Sequence, residues 1–526
     1  MQIQQKSIKI YMKKTIAFII ICVFTQVIFS QEQKNIPTKF TQNGFASLDY
    51  ISVKMPNDED GNPEINMGLT GIHYNLFVNK STYAGLGFYG SVNGKRGGLF
   101  TLGINLGIKK NLTKKLFIDT GFHFGGGGGA SAPDGGGAMF LPHLNFGYQF
   151  KKFSTTIGYS YINFFDKGNI VNNQLRIGVQ IPLSYDYSEF NNKEKSFSTN
   201  KLKETKWNQF SKRISLKLHE DNLSPYGDSQ LTDYTSLKGK TIRLAGFEIA
   251  SYFTNNWFAY FRADGAFHGI QGGYMDLFLG AGYRFTMNKN RTNILTKFAI
   301  GAGGGGGVDS GGGFLIYPDI SIEQKLFQNI YFSINKGYLL SPDQLFTSST
   351  LGFGLKYYVN QQGIKQKNQN YYTQTKFKGI EISIGQEMYF DAKRMLQPTE
   401  NLHQIAMQVN LFLNKSLYIS GHTSFANFGN AGAYAEGIVG IGYQTKPLIN
   451  NKIEIFTQIL AGAAGGGDIS TGQGLIIKPS IGFNYKLNNK LSFKSSIGKV
   501  KARGGTLNST SINFGLNYRI SFLTAN

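Results

Sequence analysis

The sequence predicts an all-β chain of three tandem eight-stranded antiparallel up-and-down transmembrane β-barrels, with one 24-stranded barrel as the alternative. Three observations carry that expectation. Apolar and polar residues alternate with a period of two in segments of about ten residues. One block of sequence recurs three times at a single spacing. Short Asn/Lys-rich turns alternate with longer glycine-rich connections, the arrangement of an up-and-down membrane barrel.

The repeat is seen first in the glycine runs: "GGGGGASAPDGGGAMFLP" from Gly125, "GAGGGGGVDSGGGFLIYP" from Gly301 and "GAAGGGDISTGQGLIIKP" from Gly462. Each closes on a proline, Pro142, Pro318 and Pro479, spaced 176 and 161 residues apart. A second block superposes Gly94, Gly269 and Gly429, and with them Gly97, Gly272 and Gly432, at offsets of 175 and 160. A third aligns Gly178, Gly354 and Gly515 at offsets of 176 and 161. Three blocks with one spacing define a threefold repeat.

In the first repeat the expected strands are Gly44 to Met55, Glu64 to Phe77, Thr82 to Val92, Gly98 to Lys109, Leu116 to Gly127, Ala138 to Phe150, Phe153 to Phe164 and Asn173 to Leu183. The turns after the second, fourth and sixth are short ("VNKS", "KKNLTKK", "FKK"), and so are their counterparts in the other repeats. The expected organisation is a signal peptide over 1–30, an N-terminal linker over 31–43, barrels over 44–185, 213–359 and 378–522, linkers over 186–212 and 360–377, and a tail over 523–526. The signal peptide is read from Lys13 and Lys14 ahead of an apolar run from Thr15 to Phe29. The sole cysteine, Cys22, lies inside that run, so cleavage after Ser30 leaves a chain without disulfides, thiolate metal sites or a cysteine nucleophile.

Alternation assigns the faces. Phe100, Leu102, Ile104, Leu106 and Ile108 fall on one side of the fourth strand, Thr101, Gly103, Asn105, Gly107 and Lys109 on the other. The last strand sets Ile512, Phe514, Leu516, Tyr518, Ile520 and Phe522 against Asn513, Gly515, Asn517, Arg519 and Ser521. A charged residue facing lipid at the midplane costs about 2–4 kcal/mol, so the polar set points inward. The long polar linkers, and inward glycines at Gly103, Gly107, Gly280, Gly282, Gly440 and Gly442, favour three narrow barrels over one wide one.

With these features the chain resembles the small eight-stranded outer-membrane barrels, the class of the OmpA transmembrane domain and OmpX, written three times. Together with the signal peptide and the Asn/Lys-rich composition it is similar to Bacteroidota-type surface proteins. The resemblance implies a Gram-negative outer membrane, contact with its lipid and lipopolysaccharide, and the barrel-assembly machinery as a partner during insertion. Such barrels commonly end on an aromatic residue; here Phe522 is followed by Leu-Thr-Ala-Asn.

Chemistry is sparse. None of the seven histidines recurs in all three repeats. An outer-membrane lipid-modifying enzyme would need a pair such as His123 with Asp119 or His268 with Asp264, and the plainer reading of each is a lumen or loop residue. Asp276 and Glu436 align on the fourth strand, with Arg262 and Arg284 near the former, and read as an inward ion-pair network. Asp134, Asp309 and Asp468 fall in the glycine hairpins; one Asp per repeat supplies too few oxygens for calcium, so a turn role is expected.

No cofactor, metal or catalytic residue is expected. The net charge of +23 lies largely in turns and linkers, so nucleic acid is not an expected partner. The expected role is non-enzymatic, in envelope structure or surface interaction, with a porin-like channel as the alternative. The candidate site is the glycine hairpin itself: Gly125, Gly126, Gly127, Gly128 and Gly129 with Asp134 and Pro142; Gly303, Gly304, Gly305, Gly306 and Gly307 with Asp309 and Pro318; Gly465, Gly466 and Gly467 with Asp468 and Pro479. Glycine costs roughly 0.5–1 kcal/mol relative to alanine in a regular element. Two readings offset that cost: a thin patch where barrels or a partner approach closely, which is preferred, or a flexible lid over the lumen.

Overall fold

The computed structural model describes residues 36–57, 61–342 and 345–525. The expected signal peptide lies outside them. Residues 36–38 are irregular and belong to a separate N-terminal unit; a second unit begins at Lys39 and holds every strand.

The first eight strands are β1 (Phe40–Val53), β2 (Met67–Phe77), β3 (Thr82–Asn93), β4 (Phe100–Asn111), β5 (Leu116–Gly128), β6 (Met139–Gln149), β7 (Ser154–Phe164) and β8 (Val171–Glu189). Each pairs antiparallel with the next, and β1 pairs with β8 from Phe40↔Tyr187 to Ile51↔Arg176, which closes the ring. A three-residue strand β9 (Ser196–Ser198) and a one-turn helix α1 (Thr199–Lys203) follow.

The second set is β10 (Lys212–Tyr226), β11 (Ile242–Tyr252), β12 (Trp257–His268), β13 (Met275–Met287), β14 (Thr292–Gly304), β15 (Phe314–Lys325), β16 (Ile330–Leu340) and β17 (Thr347–Gln361). Its first and last strands pair from Lys212↔Gln361 to Tyr226↔Thr347. The third set is β18 (Gln374–Ala392), β19 (Glu400–Phe412), β20 (Leu417–Phe428), β21 (Ala435–Gln444), β22 (Ile453–Gly465), β23 (Leu475–Lys486), β24 (Leu491–Ala502) and β25 (Asn508–Ala525). There β18 pairs with β25 from Thr375↔Ala525 to Tyr389↔Ser511.

The short turns are built by asparagine and threonine. Asn79 Oδ1 accepts the amides of Ser81 and Thr82, Asn414 those of Ser416 and Leu417, and Asn488 those of Lys490 and Leu491. Thr113 and Thr254 do the same with their hydroxyls. A side chain that caps its own turn explains why these residue types recur there.

The faces follow the alternation. Along β8 the outward positions Leu175, Ile177, Val179, Ile181 and Leu183 are 59%, 52%, 38%, 50% and 39% exposed, while inward Gln174, Arg176 and Gln180 are buried. The inward glycines make room for rings. Gly107, Gly282 and Gly442 stand opposite Tyr83, Phe258 and Tyr418 in the β3–β4, β12–β13 and β20–β21 registers, and a Cβ on any of the three would collide with that ring.

The segments between the sets differ from the expected polar spacers. β8 runs to Glu189 and β17 to Gln361, while β18 starts at Gln374, so each linker is shorter than expected. What remains is folded: β9 pairs with β18, and Phe197, Leu202, Trp207, Ile364, Phe377 and Leu523 form an apolar cluster. Phe190 is buried with Phe412 and Tyr418, under the guanidinium of Arg519 at 4.2 Å from its ring. The expected tail is also strand, since Leu523 is fully buried and Ala525 pairs with Thr375. Short pairings of β25 with β8 and with β17 join the three sets at this end.

Candidate functional site

The glycine run ends one strand and forms the loop after it. Gly125 to Gly128 lie on β5, Gly303 and Gly304 on β14, and Gly465 on β22; the remaining glycines enter the loops to β6, β15 and β23. The backbone there takes at least three consecutive positive φ values in each copy. They are 134°, 52° and 51° at Gly129, Ala130 and Ser131, 90°, 60° and 79° at Gly305, Gly306 and Gly307, and 92°, 59° and 61° at Gly466, Gly467 and Asp468. Side-chain-bearing residues reach that conformation only at a cost, which favours glycine at six of these nine positions, while Ala130, Ser131 and Asp468 adopt it with a side chain.

The three prolines share one irregularity. Pro142, Pro318 and Pro479 each sit where the strand loses pairing to its next neighbour, between Phe140 and His143, Ile316 and Asp319, and Ile477 and Ser480. A residue without an N–H fits a gap in the ladder.

The three aspartates are not equivalent, which corrects the expectation drawn from their shared setting. Ala132, Val308 and Ile469 make the same turn bond, to the carbonyls of Gly129, Gly305 and Gly466. On that frame Asp134 corresponds to Ser310 and Thr471, and Asp309 and Asp468 fall at two other steps. The backbone path is what repeats. Asp134 accepts the Gly129 amide at 2.8 Å and Asp309 that of Gly311 at 3.2 Å, both turn roles. Asp468 instead reaches across to the β18–β19 loop, where it accepts the amides of Leu396 and Gln397. Burial pushes the Asp134 carboxyl up to about 7, against the opposing pull of the Gly129 amide and Arg96.

The glycine loop of each set lies against the β-hairpin loop of another set. β5 packs beside β20, β14 beside β3 and β22 beside β12. At each contact one amide crosses: Gly97 to the Gly311 carbonyl at 2.9 Å, Gly272 to Gly472 at 3.0 Å and Gly432 to Gly135 at 3.2 Å. There is no room for a side chain. A Cβ on Gly97 would stand 2.6 Å from the Gly311 oxygen, one on Gly272 2.8 Å from the Gly474 Cα, and one on Gly432 2.6 Å from the Gly135 oxygen. The direction is cyclic, first set to second, second to third, third to first. Ser91 to the Gly312 carbonyl and Gly429 to the Asp166 carboxylate add polar contacts.

Beneath the seam lies an apolar cluster drawn from all three sets: Phe100 and Leu102, Leu277 and Ala302, Ile405 and Phe425. These are outward side chains, and they are buried because outward here means toward another ring. Sequence reasoning missed both this cluster and the donor glycines as site residues. The signal was present in the alignment of Gly97, Gly272 and Gly432.

The interiors are filled by ion pairs. In the first ring Asp49 bonds Arg176 and His73. In the second Arg262 joins Asp221 and Asp264, and Glu248 lies between Lys297 and Lys356. In the third Lys478 is held by Glu387 at 3.0 Å and Glu436 at 2.6 Å, with His422 at 3.1 Å. Glu387, His422 and Glu436 are grouped closely enough to hold a metal ion, but the Lys478 ammonium bonds all three and supplies the positive charge. Glu436 thus joins an ion-pair network as expected. Asp276 bonds Tyr274 and stands opposite Asp264, while Arg284 lies at the turn end beside Tyr252 and Tyr358.

Neither offered catalytic pair forms. His123 bonds Asn105, while Asp119 bonds Tyr83 and Gln180; His268 is exposed at the end of β12, and Asp264 is taken by His219 and Arg262. The cavity among Asp49, His73, His123 and Arg176 has a volume of about 20 Å³, room for about one water.

No protein-family model matches the chain, and no curated protein matches it. Among solved structures, similarity is found to OccK11 (OpdR) of Pseudomonas aeruginosa, at 10% identity over 91% of this chain and 96% of that one, with a TM-score of 0.22. A mutant of the ferric enterobactin receptor PfeA of Pseudomonas aeruginosa matches at 9% identity over 90% and 80%, with a TM-score of 0.27. The KdgM porin in complex with oligogalacturonate matches at 8% over 58% and 98%, with a TM-score of 0.15. These neighbours are outer-membrane β-barrel proteins, and the present chain is an all-β antiparallel barrel protein.

Proposed function

We propose that the chain is an integral outer-membrane protein made of three tandem copies of a small eight-stranded barrel, with a non-enzymatic role in envelope structure or surface interaction. The observation that carries this reading is the inverted burial of the strands. Five successive outward positions of β8 are apolar and exposed while the inward ones are polar and buried. A barrel in water would place those side chains the other way; a barrel in lipid requires this.

The closing pairings β1–β8, β10–β17 and β18–β25 support three narrow lumens over one wide channel. The ion pairs that fill them support a role without conduction. In this reading the glycine hairpins are the association motif that holds the barrels side by side, and outer-membrane lipid and lipopolysaccharide surround the apolar belt. Planar-bilayer recording of the purified protein tests it: no stepwise current is expected, and large regular steps would overturn it in favour of a transport channel.

A further inference from the structure

The three rings differ at the end that carries the short turns. In the second, Tyr358 is 6% exposed and packs with Tyr252 and Tyr331 across the mouth. In the third, Arg519 is 5% exposed and lies over Phe190, which plugs the opening. Counting four residues on from Gly178, Gly354 and Gly515 places Pro182 at the same step as Tyr358 and Arg519. Pro182 is small and exposed, and behind it the first ring opens into a cavity of about 410 Å³.

That cavity is cationic. Lys80, Lys109 and Lys110 line it, no acidic residue does, and none of the three lysines forms an ion pair among the described residues. The Lys109 ammonium is positioned from below: it donates to Gln180 at 2.6 Å and rests over the Phe117 ring at 4.1 Å and the Phe45 ring at 4.8 Å. Those contacts use one of its three N–H donors in a conventional hydrogen bond. Gln149 and Ser154 add polar lining. Pockets that hold small molecules span roughly 300–1,000 Å³, and a lysine ammonium is a point charge well suited to phosphate.

We infer that the turn-end mouth of the first ring is a binding site for one phosphate group, carried by a small anion or by a lipid headgroup, with Lys109 as its fixed contact and Lys80 and Lys110 as flanking charges. The site exists in one ring because Pro182 leaves vacant the volume that Tyr358 and Arg519 with Phe190 occupy in the other two.

The test is titration calorimetry of the full-length detergent-purified protein at fixed ionic strength, with inorganic phosphate, with glycerol 3-phosphate and with bicelles containing phosphatidylglycerol. One site per chain is expected for at least one probe. Saturation by the soluble probes assigns a free anion, and saturation by the bicelles alone assigns a headgroup. Lys109→Gln should weaken that binding at least tenfold. Pro182→Tyr, which fills the mouth without altering charge, should abolish it, whereas Lys289→Gln in a turn of the second ring should leave it unchanged. No saturable binding by any probe, or binding that survives Pro182→Tyr, would overturn the inference. So would equal losses in the Lys109 and Lys289 variants.

Discussion

Gly97 donates its amide to the carbonyl of Gly311 at 2.9 Å, joining two strand rings through residues 214 positions apart by a contact that has no space for a β-carbon. The bond is worth about 1 kcal/mol by itself. Its weight comes from what the close approach permits, namely burial of Phe100, Leu277 and Phe425 against one another. Gly272→Leu, combined with Gly432→Leu, disrupts both glycine seams of the third set and should therefore loosen its hold on the other two without unfolding it. The measurement is native electrophoresis across a urea series after trypsin cleavage in the exposed stretch at Lys367: the β9–β18 and β8–β25 pairings hold both nicked proteins together at first, and the nicked variant should release its third-set fragment at a lower urea concentration than nicked wild type.

Removing the ammonium from the third lumen should be costly. Lys478→Met leaves Glu387 and Glu436 buried and facing each other, and breaking one side of such a network costs about 3–5 kcal/mol. Replacing all three, as Lys478→Met with Glu387→Gln and Glu436→Gln, should recover most of the loss. Heat-modifiable gel migration against temperature reads both outcomes.

The inward glycines and rings should behave as pairs. Gly442→Leu forces a side chain into the Tyr418 ring, and overpacking of this kind costs about 1–3 kcal/mol. Adding Tyr418→Ala opens space and should return part of that loss, so the double variant should melt above the single one. A melting point for the double variant below the single would refute the pairing.

The pH dependence of the first glycine loop follows from Asp134. Burial holds it at about 7 in the fold, above the ordinary carboxylate value of 3.8, so the protonated form is favoured on folding. The stability it confers is fully present below about 3.8 and is lost as pH rises through 7, on the order of 4 kcal/mol in all. Asp134→Asn should abolish that dependence, so the variant should gain on wild type in melting temperature between pH 5 and pH 8. A constant difference across that range would refute the assignment.

Much of the fold was legible because strands with one apolar and one polar face obey a strict rule, which on the proposed reading is set by lipid. Lys109 and Arg519 had to point inward, and once they did, the phase of their strands was set. The inward glycines were legible as relief of crowding, though not that Tyr83, Phe258 and Tyr418 fill the space they leave. The charge partners were not readable, because Lys478 and Glu387 are 91 residues apart and meet only through ring closure. The linkers misled through composition: Trp207, Phe197 and Phe190 are few among many polar residues, yet each is buried. Asp134, Asp309 and Asp468 misled for the opposite reason, since a shared residue type suggested a shared place.

The seam has two unlike halves, a donor loop and an acceptor hairpin, and each ring carries one of each. Unlike halves joined head to tail build an endless filament unless the rotation between neighbours returns to its start. Here it returns after three steps, and the covalent chain supplies three rings. Each of these six halves is therefore occupied within one molecule, so the seam closes on itself.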